Sequence, residues 1–186
     1  MKIGLSGPDS VGKTTTIEAV VRVLRAGGRS VNVVTAGDIA RLSPYPLVDG
    51  QTIESSLWIL QALRGAEKAA EQSAEFVIAD RTSLDVWVFS ELSRRRGLIR
   101  DCELRDLERL LIPHLASFAC LYCALIDDAR PLRPENLPSP GYRGRESFQA
   151  VLLEGARKFA NITRVVMLPH EEALRVTTIA STLGVC

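Results

Sequence analysis

Histidine is almost missing from this chain: His114 and His170 are the only two in 186 residues. Cysteine is sparse as well, with Cys102, Cys120, Cys123 and Cys186. Cys120-Leu-Tyr-Cys123 has the spacing of a metal or redox pair, but no second pair accompanies it. On a strand, residues three apart point to opposite faces. The cysteines are therefore read as small core residues of a protein from a reducing compartment. His114, with no cysteine or second histidine near it, is read as structural.

An excess of one charge is lacking too. Lysine and arginine number 23 against 22 acidic residues, a formal net charge of +1. No overall attraction to nucleic acid or to a membrane surface follows from that balance. No apolar run approaches the roughly 20 residues needed to cross a bilayer. Met1 leads straight into a strand, so no secretory leader is expected and a cytoplasmic location is. There is no internal repeat and no low-complexity stretch. With 46% hydrophobic and 24% charged residues, the length suits one α/β domain over residues 1–186.

Against that plain background one stretch carries chemistry. Gly7-Pro8-Asp9-Ser10-Val11-Gly12-Lys13-Thr14 reads G-x-x-x-x-G-K-T, a phosphate-binding loop. A short apolar run with Ile3 and Leu5 predicts a buried strand before it. Ile17, Val20, Val21 and Leu24 predict a helix over 14–25 after it. Gly7 and Gly12 let the backbone turn its N–H groups on a β-phosphate, and the helix N-terminus adds its positive dipole end. Lys13 reaches the β- and γ-phosphates, and Thr14 offers its hydroxyl to Mg²⁺. Asp9, Ser10, Val11 and Thr15 complete the nucleotide-binding set. No guanine-reading N-K-x-D stretch follows, which argues against a GTPase.

Further strands are predicted over 31–35, 76–79, 120–126 and 164–168, with helices between them. This alternation gives a five-stranded parallel sheet covered by helices on both faces, a three-layer α/β/α sandwich. Ligands of such sheets bind beyond the C-terminal strand ends. Asp38 and Arg41, just after the second strand, stand where an acceptor would lie, although Asp38 equally suits the N-cap of a short turn. Asp80-Arg81 stands at the tip of the third strand. Its carboxylate suits either Mg²⁺ or the proton of an attacking hydroxyl, and its arginine suits a phosphoryl group. The helix predicted over 54–73 carries Arg64 and Trp58 and an apolar face of Leu57, Leu60 and Leu63, a face that would also suit a homodimer. Trp58 reads as core or as a base-stacking residue. Arg94-Arg95-Arg96 is offset by nearby acids and reads as a solvated face, or alternatively as a guide for a polyanion. Pro113 and His114 are expected to close the next helix. Residues 127–146 mix arginines, Arg130 and Arg133 among them, with prolines, and read as a lid closing over phosphates.

Together the loop of Gly7 to Thr14, the helix with Arg64, the Asp80-Arg81 tip and the arginine-bearing segment resemble the P-loop kinases of nucleosides and nucleotides. Within them the chain is similar to the thymidylate-kinase-like group, and also to ribosylnicotinamide kinases and an AAA-type ATP-binding family. The resemblance implies the P-loop NTPase fold with sheet order 2-3-1-4-5 and an ATP·Mg²⁺ donor. It implies that Lys13 and Thr14 hold ATP and Mg²⁺, that Asp80 and Arg81 face the acceptor, and that Arg130 and Arg133 belong to the lid. The arginine-proline-glycine pattern with which thymidylate kinases hold their monophosphate is replaced here by Gly37-Asp38-Ile39-Ala40-Arg41. The expected activity is phosphoryl transfer to a nucleoside, a nucleoside monophosphate or a related small acceptor. The alternatives are a kinase acting on a modified base in DNA and an ATP-hydrolysing switch.

Overall fold

The computed structural model describes residues 1–47, 50–129 and 144–184. Strand β1 (Lys2–Ser6) leads through the glycine-flanked loop into helix α1 (Lys13–Ala26). Strand β2 (Val31–Thr35) runs directly into the short helix α2 (Ala36–Ala40), and helix α3 (Ile53–Glu71) follows. Strand β3 (Phe76–Asp80) precedes helices α4 (Ser83–Arg95) and α5 (Asp101–Leu115). Strand β4 (Cys120–Cys123), helix α6 (Arg145–Lys158), strand β5 (Val165–Met167) and helix α7 (Glu172–Thr182) complete the order.

All five strands are parallel and lie in the order β2-β3-β1-β4-β5. The register brings the strand ends level. Leu5 and Thr35 both pair with Asp80, and Ser6 pairs with Cys123. One edge of the sheet thus collects the loop after β1, the start of α2 and the Asp80 tip.

Helices cover both faces because the sheet carries apolar residues on both. On one face α1 and α7 bury Ile17, Val20, Leu24 and Ile179 against Ile3, Leu5 and Ile78. On the other, α3 to α6 bury Leu63, Val88, Leu107 and Leu152 against Val77, Ala79 and Leu121. Cys120 falls in the first layer and Cys123 in the second, as the alternation along a strand requires. Burial pushes both thiols up, which keeps them unreactive. Among the described cysteines Cys102 is the exception to the core reading, being exposed in the first turn of α5, and Cys186 lies outside the described residues.

Local sequence explains most element ends. Gly27 and Gly28 stop α1, Gly28 at φ +74°. Thr52 caps α3 in a reciprocal box with Ser55. The buried stripe of α3 is Ile59, Leu60 and Leu63, whereas Leu57 points outward at 38% exposure. That stripe is used up in the chain's own core, so the face considered for a homodimer is not available there. Trp58 packs half-buried against the same core. Helix α5 does not stop at Pro113 but runs on to Leu115. Leu111, His114 and Leu115 share one buried face, and that packing outweighs the lost backbone hydrogen bond.

His114 is structural, as its isolation predicts. Its Nε2 lies 2.7 Å from Glu67 Oε2, and Lys2 Nζ donates to the same oxygen at 2.7 Å. This buried cluster joins α3, α5 and the start of β1, at the opposite end of the strand from the phosphate loop.

Candidate active site

The loop after β1 is shaped by positive φ angles at Gly7 (+153°), Ser10 (+57°) and Gly12 (+83°). At Gly7 a side chain would also put its Cβ 2.3 Å from the Ala124 carbonyl oxygen, so only glycine fits. Gly12 is the N-cap of α1 and offers no side chain there. The first turn of α1 therefore keeps its N–H groups for a ligand.

Cations hold the loop's carbonyls. Lys13 Nζ donates to Gly7 O at 3.0 Å and Pro8 O at 2.6 Å. Arg145 Nε donates to Asp9 O at 2.9 Å, and Arg175 Nη1 to Val11 O at 2.6 Å. Gly12 O accepts from Thr16 N and Thr16 Oγ1. All peptide bonds are trans among the described residues, so N–H and C=O oppose each other in each plane. Holding the carbonyls of Asp9, Val11 and Gly12 outward turns the N–H groups of Ser10, Gly12 and Lys13 the other way.

The same residues, Ser10, Gly12 and Lys13, line a cavity of about 460 Å³, whose wall also includes Asp9, Thr14, Thr15, Thr35, Gly37, Asp80 and Arg81. Burial, and next the charge of Arg81, holds the Lys13 ammonium down to about 8. An ammonium so short of water gains from an arriving anion. Thr14 Oγ1 donates to Asp80 Oδ2 at 2.8 Å, placing a hydroxyl and a carboxylate side by side on the wall.

Arg81 stands between this cavity and a second one. Its guanidinium pairs with Asp9 and Asp85 and donates to Gly7 O. It also lies 5.7 Å from the Phe89 ring centre and 5.6 Å from that of Phe148. Its backbone is left-handed, at φ +70°, a conformation that costs a non-glycine residue about 1–2 kcal/mol. The side chain is thus pinned by charge, stacking and backbone together. Asp85 anchors the arrangement from α4. It accepts from the backbone N–H of Gly7 at 3.3 Å and of Thr82 at 2.8 Å.

The second cavity, about 230 Å³, shares Asp9, Gly37 and Arg81 with the first. Its remaining wall is mostly apolar: Ala36, Ala40, Leu47, Ile59, Leu63, Val86 and Phe89, with Gln51, Thr82 and Asp85. A third, about 210 Å³, lies on the other side of the loop, where Ser10, Val11 and Gly12 meet Asp127, Arg145, His170, Glu172 and Arg175.

The structure thus brings together Gly7, Asp9, Ser10, Val11, Gly12, Lys13, Thr14, Thr15, Asp80 and Arg81. Asp38 does not cap α2, because Thr35 is its N-cap residue. It forms an exposed ion pair with Arg41 at 2.8 Å, and neither residue lines a described cavity. Arg64 is exposed on α3 and lines none of them either. Arg130 and Arg133 lie outside the described residues. Asp85 and Arg175 were missed. Asp85 had a readable signal, since Thr82-Ser-Leu-Asp85 is a capping-box spacing. Arg175 had none.

Arg94 and Arg95 of the basic run, and Arg100 beside it, are neutralised by nearby acids. Arg94 pairs with Glu91 and Asp101, Arg95 with Glu91 and Glu154, and Arg100 with Glu103. It behaves as the solvated face expected of it, and the polyanion reading gains no support.

No protein-family model matches the chain, and no curated protein does. Solved structures do. A deoxyadenosine kinase from M. mycoides, solved with products dCMP and a flexible dCDP bound, matches at TM-score 0.67 and 16% identity over 99% of both chains. The chain shares the fold of that kinase. NadR protein matches in complex with NR (TM-score 0.69) and with NAD and AMP-PNP (0.70), each at 15% identity over the whole of this chain. The present chain spans half the length of the NadR chain. The order 2-3-1-4-5 implied by the family resemblance is the observed one.

Proposed function

We propose that this chain transfers the γ-phosphoryl group of ATP to a hydroxyl of a nucleoside or related uncharged small acceptor. The observation that carries the reading is the pair of cavities, one polar and one apolar, that meet at Asp9 and Arg81. The 460 Å³ cavity suits the triphosphate, and the cavity with His170 and Glu172 suits the rest of the donor. The apolar cavity suits a base or similar ring. An uncharged acceptor is favoured because Arg81 is the one cation on that wall among the described residues, and Asp9 and Asp85 already hold it.

Thr14 Oγ1 and Asp80 Oδ2 are hard oxygen donors 2.8 Å apart, which fits Mg²⁺. Bound there, Mg²⁺ supplies charge neutralisation along the phosphate chain. Asp80 does not line the apolar cavity, so it is assigned to the metal side. Asp9, which lines both cavities, is the carboxylate assigned to the incoming hydroxyl. The acceptor oxygen forms a bond to the γ-phosphorus as the bond to the β-γ bridging oxygen breaks. The hydroxyl proton passes toward Asp9, and ADP leaves. Lys13 and the loop N–H groups stabilise the charge on the transferring group by position alone.

The test is label transfer from γ-labelled ATP with Mg²⁺ to a panel of nucleosides, nucleoside monophosphates, ribosylnicotinamide and DNA with hydroxymethylated pyrimidines. Label on an uncharged small acceptor is the expected result. Label only on a monophosphate or on DNA would overturn the acceptor assignment. Free phosphate alone would point to a hydrolytic switch.

A further inference from the structure

Arg175 is a charged residue where a hydrophobic one would pack. It projects from α7 and is 5% exposed, beside apolar Ile179 and Ala180 of the same helix. Burying a guanidinium is costly unless its donors meet well-placed acceptors. Two of its donors do: Nη1 reaches Val11 O and Nε reaches Pro169 O, each at 2.6 Å. One acceptor belongs to the phosphate loop and the other to the turn between β5 and α7. The head sits against the loop itself, since a Cβ on Gly12 would lie 3.4 Å from Nη1.

We infer that Arg175 is a positioning residue for the phosphate loop, a bridge that fixes the Val11–Gly12 peptide so that its N–H faces the phosphates. The physical reason lies in that single peptide plane. With Val11 O held outward, Gly12 N–H points at the cavity. Were the plane reversed, a carbonyl oxygen would face the phosphates and repel them. Gly12 has no Cβ to resist such a flip, so an outside anchor is needed. The same guanidinium ties this plane to the turn carrying His170, just ahead of Glu172 at the start of α7, so the walls on the two sides of the donor hold one spacing. A lysine is a poorer bridge here, because its donors radiate from one atom, whereas Nη1 and Nε of the guanidinium reach carbonyls of two separate segments in a fixed geometry.

The inference rests on the donor site proposed above, and its test separates the two. Calorimetric titration with Mg²⁺·AMP-PNP and with inorganic tripolyphosphate is run on the wild type, Arg175→Met and Arg175→Lys. Urea unfolding of each variant accompanies it. Failure of the wild type to bind AMP-PNP would sink the donor site itself. With wild-type binding in hand, both variants are expected to weaken both ligands about tenfold or more while folded. Affinities within twofold of wild type would overturn the positioning role. Full rescue by Arg175→Lys would show that charge alone matters and overturn the bridge. Loss for AMP-PNP with tripolyphosphate unchanged would show that the phosphate loop is not what Arg175 positions. Should Arg175→Met fail to fold, Arg175→Lys carries the test.

Discussion

The two cavities that meet at Arg81 are built in opposite ways. The phosphate cavity is built chiefly on one loop and the first turn of α1, whose carbonyls are held by Lys13, Arg145 and Arg175, with Thr35, Gly37, Asp80 and Arg81 completing the wall. The apolar cavity is made from side chains drawn from α2, α3 and α4, whose main requirement is to be apolar and to leave a space. A site built on backbone tolerates few residue types, because φ and peptide orientation do the work. A site built on side-chain shape tolerates many, and changing one residue changes what fits. On the proposed reading, the first sets the chemistry and the second sets the acceptor.

The largest effect should come from breaking the charged side. Lys13→Met should lower phosphoryl transfer on the order of 10³-fold, measured as initial rates with labelled ATP. The fold should not suffer, because the buried ammonium is held below its usual range by desolvation. The sign follows from that depression. The unfolded chain binds the proton more tightly between pH 8 and 10.5, so stability in that window rises with pH, and Lys13→Met should remove that slope. For the same reason the free protein loses the ammonium as pH rises through about 8. AMP-PNP affinity should therefore fall above that pH, and binding should take up protons, seen as a buffer-dependent heat in calorimetry.

Next in size is the division between the carboxylates. Asp9→Asn should lower kcat by about 10²-fold with its Mg²⁺ requirement unchanged, as removal of a general base does. Asp80→Asn should instead raise the Mg²⁺ concentration needed for half-maximal rate. Equal Mg²⁺ curves for the two would erase the distinction between the sides. Smaller again, Ala40→Phe should narrow the apolar cavity and raise the acceptor KM about tenfold, with the KM for ATP within twofold. Smallest of all, Arg94→Ala and Arg95→Ala remove partly exposed ion pairs far from both cavities. They should leave transfer unchanged and cost up to about 1 kcal/mol of stability in urea.

The same contrast governs what could be read from the sequence. Gly7, Gly12, Lys13 and Thr14 pointed to the proposed phosphate side because a loop's chemistry is local and its residue types are restricted. Strand alternation announced the layers, and Asp80 followed from its place at a strand tip. The apolar side stayed hidden, since Ala40, Ile59 and Val86 look like any core residues until the fold leaves a gap between them. Asp38 and Arg41 had the right address but turn to each other at the surface. Arg175 could not be found by any local rule, for its partner Val11 lies 164 positions away. Pro113 misled because a proline's local preference yielded to the buried face of α5.

The central claim is that donor and acceptor occupy separate cavities joined at Asp9 and Arg81. The most direct test is calorimetric titration of Mg²⁺·AMP-PNP into the protein, first alone and then saturated with the best acceptor of the transfer panel. One equivalent of AMP-PNP bound in both cases, at an affinity no weaker with the acceptor present, is the predicted result. Competition, with the acceptor displacing AMP-PNP, would mean a single shared site and would contradict the account.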